Sequence, residues 1–227
     1  TFFIIFFDIP LKVSRFAATK NEILMKTLMM ILFCTLMATG AATAETIQRP
    51  ASENYLKGVK ALNEGDAEKA YRYLNAELEQ YPENGYAHCY MALICNFSGE
   101  TKLAFKAVSR SLELIPEADT EFRSFAYYTR GMLLKNYHQW ELAEADFTEA
   151  IRSNPNDVEN YTCRAEVLLQ LHEYEAALDD LTAALKLDSK ADVADLMMQL
   201  MEEAPDTGMI DRISATYEML NNQELSN

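Results

Sequence analysis

Histidines and cysteines are the side chains in this sequence best suited to metal binding or nucleophilic chemistry, and there are three histidines and four cysteines. His138 and His172 stand 34 residues apart, but two imidazoles without a third ligand make a poor zinc site. The sequence shows no H-E-x-x-H, no C-x-x-C, no glycine-rich phosphate loop and no Ser-His-Asp order. We therefore predict no catalytic residue, no bound metal and no cofactor, and we expect a protein that is not an enzyme.

The cysteines are poorly spaced for disulfides. Cys89 and Cys95 are six residues apart on one predicted helix, so their side chains diverge by about 240° around its axis. Pairing Cys89 with Cys163 would require two helices that are distant in the sequence to meet. We predict that these residues are small, buried and apolar in character, with no redox role.

The composition favours helices and limits the classes of partner. Seven glycines and six prolines are few for 227 residues, which disfavours a turn-rich β fold. An apolar content of 49% is enough to build a core. The net charge of −15 argues against nucleic acid and anionic membrane surfaces as partners, because both attract Lys and Arg.

Residues 25–44 have the three parts of a secretory signal peptide. Lys26 gives a positive start, residues 28–37 form an uncharged apolar run, and residues 42–44 read Ala-Thr-Ala. The apolar core is shorter than the roughly 20 residues that a membrane span needs. We predict cleavage near Ala44, an exported chain that is periplasmic or extracellular, and no membrane span after cleavage.

A spacing of 34 to 39 residues recurs through the rest of the chain. Pro82, Pro116 and Pro155 each follow an apolar helical run, at steps of 34 and 39 residues, and Ser189 follows 34 residues later. Three positions recur before each of these four markers. A small residue lies 24 residues before the marker, an alanine lies 12 residues before it, and a large apolar residue lies eight residues before it. In order, these are Gly58, Ala92, Gly131 and Ala165; Ala70, Ala104, Ala143 and Ala177; and Leu74, Val108, Phe147 and Leu181.

Small residues in phase predict pairs of helices that cross closely. A side chain no larger than a methyl group lets two helix axes approach, and the large residue one turn after the alanine fills the space beside the crossing. Ala184 is assigned the same structural role. Proline ends the second helix and begins the turn to the next pair. The predicted fold class is therefore all-α, an α-solenoid of antiparallel helix pairs.

The segments that carry this pattern resemble the tetratricopeptide repeat family, whose period is 34 residues. The clearest matches are GVKALNEGDAEKA at residues 58–70, RGMLLKNYHQWELA at 130–143 and AEVLLQLHEYEAA at 165–177. The resemblance covers about residues 51–189 and implies four helix pairs. Two amphipathic segments after Ser189, the first with an apolar stripe at Val193, Leu196, Met197, Leu200 and Met201, predict a degenerate fifth pair or C-terminal capping helices.

These observations predict the organisation of the whole chain. The sequence begins with Thr and not Met, and the first segment precedes a plausible start at Met25. The expected segments are an upstream or non-native stretch at 1–24, the signal peptide at 25–44, a short linker at 45–50, four repeats at about 51–84, 85–118, 124–157 and 158–191, a degenerate fifth repeat or cap at 190–222, and a frayed tail at 223–227.

In the tetratricopeptide repeat family, the first helices line a concave groove that binds peptides. Carried over by position, the resemblance implies a groove lined by Tyr55, Val59, Tyr86, Tyr90, Phe97, Phe125, Tyr128, Met132, Lys135 and Asn136. Aromatic side chains suit a binding surface, but the same rings could pack between neighbouring first helices, and both interpretations are open.

The predicted function is a non-catalytic protein–protein interaction scaffold that holds a peptide segment or an envelope protein in this groove. Two alternatives are open. The chain could be the N-terminal repeat module of a longer, truncated enzyme, or a glycan-binding repeat protein.

Overall fold

The computed structural model describes residues 47–203 and 206–224, which form ten helices and no strand. The predicted signal peptide, the segment before it and the last residues of the predicted tail lie outside these ranges. None of the described helices is both long enough and apolar enough to cross a membrane. The helices are α1 (Glu53–Asn63), α2 (Ala67–Gln80), α3 (Gly85–Phe97), α4 (Thr101–Leu114), α5 (Thr120–Asn136), α6 (Trp140–Ser153), α7 (Val158–Gln170), α8 (Tyr174–Leu187), α9 (Ala194–Glu203) and α10 (Thr207–Glu224).

The first eight helices form four consecutive pairs, α1–α2, α3–α4, α5–α6 and α7–α8, here called units 1 to 4. Each pair is joined by a three-residue turn, and its two helices pack on each other. The second helix of each unit also packs on the first helix of the next unit. This arrangement confirms the predicted all-helical fold, in which each unit contacts mainly its neighbours.

The turns inside the units share one backbone conformation. Gly65, Gly99, His138 and His172 occupy equivalent positions, and their φ angles are 79°, 74°, 56° and 61°. The residue after each of them donates a backbone hydrogen bond to a carbonyl five residues earlier. That bond is characteristic of the Schellman motif, which ends a helix with a left-handed residue. Both histidines are exposed, so their repeated position reflects the turn.

Polar caps begin several of the helices. Asp66, Asn84, Asp119 and Asp157 each precede a helix and accept a backbone hydrogen bond from its first turn. These bonds satisfy N–H groups that have no partner inside the helix. The caps therefore set where α2, α3, α5 and α7 begin.

The small residues of the sequence pattern lie where the helices of a unit approach each other. Gly58 lies against Leu74, and Gly131 lies against the ring of Phe147. All seven alanines assigned to the pattern are fully buried, and the three prolines are exposed in the turns after α2, α4 and α6. The alanines are Ala70, Ala92, Ala104, Ala143, Ala165, Ala177 and Ala184.

A second pair of side chains connects the two helices of a unit. One member lies one residue before the small position on the first helix, and the other lies one residue before the large position on the second helix. In unit 4, Arg164 donates to Asp180 through Nε and Nη2, both at 2.7 Å. In unit 3, Arg130 donates to Asp146 in the same way at 2.7 and 2.6 Å. The equivalent positions hold a cation–π pair in unit 1, and two buried apolar residues in unit 2. These are Lys57 over the ring of Tyr73, and Met91 with Ala107.

The first helix of unit 3 is longer than its counterparts. Helix α5 has 17 residues, whereas α3 has 13. It begins at Thr120, about one turn before the predicted start of this unit at residue 124, because Asp119 caps it there. The extra residues of the 39-residue step thus extend the N-terminal end of α5.

Helices α9 and α10 cover the end of the array. Val193, Met197 and Leu200 are buried together with Met209 and Ile213 against residues of α7 and α8. Met201, in the same helix as Leu200, is 40% exposed. The two helices therefore bury the apolar face that α8 would otherwise present to solvent.

Candidate partner-binding face

The side of the array formed by α1, α3, α5 and α7 is here called the first-helix face. It contains the ten residues that the resemblance assigns to a groove. Five of them are buried, namely Tyr55, Tyr86, Tyr90, Tyr128 and Met132. Four are half-buried, namely Val59, Phe97, Phe125 and Lys135, and Asn136 is exposed. Partner binding by these residues stays a prediction. Only half of the assigned residues are accessible to a partner.

The buried rings pack between neighbouring first helices. The ring centroid of Tyr90 in α3 lies 6.1 Å from that of Tyr55 in α1 and 5.9 Å from that of Phe125 in α5. Tyr86 meets Phe122 edge to face at 4.8 Å, and Phe122 also lies 5.9 Å from Tyr90. The aromatic cluster therefore joins units 1, 2 and 3, and edge-to-face contacts of this kind stabilise it.

The buried phenols stay protonated at ordinary pH. Burial raises the pKa of Tyr90 and of Tyr128 well above the usual value for tyrosine. Burial also raises the pKa of Tyr86, and the hydrogen bond to Asp119 adds to this effect. The hydroxyl of Tyr86 donates to Asp119 Oδ2 at 3.0 Å. These tyrosines can therefore donate hydrogen bonds but carry no charge.

A segment outside the repeats lies against this face. Arg49 comes from the predicted linker, yet its side chain reaches the start of α5, 70 residues away in sequence. Its Nε and Nη2 donate to the two carboxylate oxygens of Asp119 at 3.1 and 3.0 Å. It also contacts Glu121, and its guanidinium carbon lies 4.6 Å from the ring centroid of Phe122.

Asp119 and Glu121 stabilise the charged form of Arg49. Burial works against the charged form, but hydrogen bonds to Asp119 and Glu121 outweigh it and raise the pKa of Arg49. Arg49, its partner Asp119 and Phe122 were not predicted as site residues from the sequence. A signal was present only for Asp119, as a possible helix cap.

The first-helix face also carries charged side chains of both signs on α5 and α7. Lys135 Nζ lies 2.6 Å from Glu166 Oε2. Burial opposes the charge on Lys135, but the charge of Glu166 and the hydrogen bond to it outweigh burial and raise the pKa of Lys135. Burial, with a further contribution from the charge of Asp157, raises the pKa of Glu159.

The three cysteines of the repeats are free and buried. Burial raises the pKa of the Cys89 and Cys163 thiols to about 12, which keeps them in the unreactive thiol form. Cys163 Sγ lies 3.8 Å from both the hydroxyl of Tyr128 and the sulfur of Met132. Among the described residues, no group of three His, Cys, Asp or Glu side chains is placed to hold a metal ion.

Comparisons with known proteins agree with this architecture. Residues 147–179, which include the second half of α6, all of α7 and the start of α8, match the family described as tetratricopeptide repeat. This segment is thus similar to a tetratricopeptide repeat in sequence. The repeats extend on both sides of the matched segment, because units 1 to 4 share the same turns, small residues and helix pairing.

Solved tetratricopeptide repeat structures share this fold. The crystal structure of MamA is 17% identical, covers 74% of this chain and 95% of its own chain, and superposes with a TM-score of 0.59. The PilF protein of Pseudomonas aeruginosa is 18% identical, covers 74% of each chain, and has a TM-score of 0.59. At these identities, the likeness is one of fold.

A curated relative shares sequence as well. The DnaJ homolog subfamily C member 7 homolog of Schizosaccharomyces pombe is 29% identical over 155 residues, which is 63% of this chain and 33% of that protein. The match thus spans about a third of the length of the relative. The tetratricopeptide repeat fold supports a protein–protein interaction scaffold in general terms.

Proposed function

We propose that this protein is an exported, non-catalytic scaffold that binds an extended segment of a protein partner along its first-helix face. The observation that carries the proposal is the contact of Arg49, within residues 47–50, with that face. These residues are outside any helix, and Arg49 pairs with Asp119 at the start of α5, to which Tyr86 of α3 also donates a hydrogen bond. The face therefore already accommodates a non-helical polypeptide segment.

The accessible side chains of the face suit such a partner. Val59, Phe97 and Phe125 are half-buried apolar groups on three successive first helices, and Asn136 adds an exposed amide. The buried rings beneath Phe125 hold it in place. Partly exposed aromatic anchors on a rigid support are the usual centre of a binding surface, because little side-chain entropy is lost when a partner covers them.

The charge of the chain favours a basic partner over an acidic one. Its net charge is −15, and removal of residues 1–44 would change Lys and Arg from 20 to 16 and Asp and Glu from 35 to 33, a net charge of −17. A field of this sign accelerates encounter with cationic segments and disfavours anionic ones.

Export is part of the proposal and rests on the sequence of residues 25–44, which lie outside the described residues. Mass spectrometry of the protein recovered from the cells that produce it tests this part. We expect a mature N-terminus at Glu45. Recovery of peptides from residues 1–44 in the accumulated protein would contradict export by cleavage.

Binding is tested by comparing substitutions on the two sides of the array. Phe97→Ser with Phe125→Ser removes two anchors of the first-helix face. Leu103→Ser with Leu142→Ser is the matched control, since these side chains lie on second helices and are 48% and 57% exposed. Immobilised wild-type protein is used to isolate partners from an envelope extract, and each purified partner is then titrated against both double variants.

The proposal predicts that the first-helix variant binds a purified partner at least roughly tenfold more weakly, because loss of anchors costs more than 1 kcal/mol each. The control is expected to bind as the wild type does. A partner that is lost only with the control variant would place binding on the second helices and contradict the proposal.

A further inference from the structure

The contact of Arg49 with the start of α5 has the composition of an arginine-binding site. The carboxylate of Asp119 accepts two parallel hydrogen bonds from the guanidinium, Glu121 contacts it, and the ring of Phe122 lies beneath it. Fork-shaped pairing with a carboxylate selects arginine over lysine, and an aromatic ring stabilises a cation above its face. We call Tyr86, Asp119, Glu121 and Phe122 the arginine pocket.

The pocket is organised by contacts that do not involve Arg49. Asp119 is 1% exposed and accepts hydrogen bonds from the Tyr86 hydroxyl at 3.0 Å and from the backbone N–H of Phe122 at 3.3 Å. Phe122 is held edge to face by Tyr86. Because α3 and α5 supply these groups, the carboxylate and the ring stay aligned when the guanidinium leaves.

The occupant comes from a segment outside the repeats. Residues 47–50 have no helical or strand structure, Ile47 and Gln48 are exposed, and the side chain of Arg49 is 30% exposed. An arginine from another extended segment could enter from the same solvent-facing side. Such a segment would continue along the first-helix face toward Phe125, which lies 6.4 Å from Phe122 between ring centroids.

We propose that this pocket binds an arginine side chain of an extended partner segment and that Arg49 occupies it as a built-in competitor. This inference rests on the proposed function and specifies its partner as an arginine-bearing segment. The bound partner displaces residues 47–50, which then no longer cover the pocket.

Competition from Arg49 has a measurable consequence. An intramolecular group on a short tether acts at an effective concentration of about millimolar. A ligand's apparent dissociation constant is its intrinsic constant divided by the fraction of protein with a vacant pocket. If Arg49 fills the pocket about nine-tenths of the time, its removal strengthens binding about tenfold.

The test uses the full chain and a capped peptide with the sequence of residues 46–51, Thr-Ile-Gln-Arg-Pro-Ala. A second peptide carries citrulline, which has the shape of arginine without its charge. The proteins are the wild type, Arg49→Ala and Arg110→Ala. Arg110 pairs with the exposed Glu83 and Glu113 on the surface, so its removal makes the same change in net charge away from the pocket.

We expect Arg49→Ala to bind the arginine peptide about tenfold more tightly than the wild type or Arg110→Ala, and to bind the citrulline peptide much more weakly. Glu121→Gln, added to Arg49→Ala, is expected to reduce the affinity for the arginine peptide by at least about threefold, since one charged contact is lost. Equal affinities of Arg49→Ala and Arg110→Ala, or of the two peptides, would overturn the proposal and leave Arg49 as a structural tie.

A second measurement covers the case in which Arg49→Ala does not fold. In wild-type protein, the Nε–H resonance of Arg49 is assigned as the signal that Arg49→Lys lacks. Millimolar arginine peptide is expected to move this resonance to the position of a free arginine. A resonance that does not respond at saturating peptide would also overturn the proposal.

Failure of this inference is distinguishable from failure of the proposed function. If the peptide experiments are negative while Phe97→Ser with Phe125→Ser still abolishes binding of a purified partner, the face binds partners without an arginine subsite. If both fail, the first-helix face is not the binding surface.

Discussion

A Cβ atom built on Gly131 would lie 2.9 Å from the ring of Phe147 on the facing helix. Gly58 stands in the same relation to Leu74, at 2.7 Å. In unit 2, the equivalent residues are Ala92 and the smaller Val108, which are also fully buried. In units 1 to 3, the small and large positions therefore compensate each other in volume.

Gly131→Ala is expected to destabilise the protein although alanine is the better helix former. The methyl group would displace a fully buried ring, and overpacking of this kind costs about 1–3 kcal/mol. The gain in helix propensity, about 1 kcal/mol, offsets only part of this cost. Urea unfolding followed by circular dichroism measures the change.

Phe147→Leu in the Gly131→Ala background is the control, because unit 4 already combines Ala165 with Leu181. We expect the double variant to lose less stability than the sum of the two single variants. Additive losses of stability would show that positions 131 and 147 are not energetically coupled.

His138→Gly is expected to stabilise the protein by up to about 1 kcal/mol, since the residue has a φ of 56° and the left-handed conformation is costly for residues with a Cβ. The contact between the rings of His138 and Trp140, 4.9 Å apart, offsets part of the gain. The reverse change, Gly65→His, should lower the melting temperature. A lower melting temperature for both variants would contradict the assignment of this position to the turn.

Arg164→Ala is expected to destabilise the protein by about 2–3 kcal/mol, because Asp180 would stay buried without its partner. The variant Arg164→Met with Asp180→Ala reproduces the residues of unit 2, Met91 and Ala107. We expect it to be within about 1 kcal/mol of the wild type, as apolar replacements of buried ion pairs often are. Equal losses in the single and double variants would show that packing by the arginine, and not the pairing of charges, stabilises unit 4.

Glu159→Gln is expected to raise the melting temperature at pH 7. Burial raises the pKa of Glu159 in the folded state, with the charge of Asp157 as a further cause. The contribution of this carboxyl to stability is thus fully present below the ordinary pKa of glutamate and is lost as the pH rises through the folded-state value. At pH 3.5, variant and wild type should melt together.

Glu141→Gln is the matched control for this pH dependence, because Glu141 is exposed in the first turn of α6. Calorimetry at both pH values compares the two variants. A melting temperature of Glu159→Gln that is unchanged at pH 7, or raised equally at pH 3.5, would contradict the predicted direction.

The repeat fold could be predicted from the sequence because helix packing requires a small residue at the same position of every repeat. Only a small residue fits where two helices cross, so Gly58, Ala92, Gly131 and Ala165 recur at one position while charges vary. The same periodicity predicted the helix pairs, and amphipathic segments after Ser189 predicted the capping helices. The sequence also allows Asp119 or Thr120 to cap a first helix that starts one turn early, and Asp119 does cap α5.

The candidate site was predictable only in part. Position in the repeat placed Tyr86, Tyr90 and Phe125 on the first helices, but it did not distinguish a ring that packs from a ring that is accessible. The contact of Arg49 with Asp119 joins residues 70 positions apart. No periodicity relates a residue before the repeats to one between two units, so this contact follows only from the three-dimensional structure.

The most direct test of the account is site-specific photocrosslinking in the cells that produce the protein. A photoreactive phenylalanine analogue is placed at Phe125 on the first-helix face or at Leu142 on the second helices. The account predicts that position 125 gives a discrete adduct with a partner protein and that position 142 does not. Adducts from position 142 alone would contradict binding at the first-helix face.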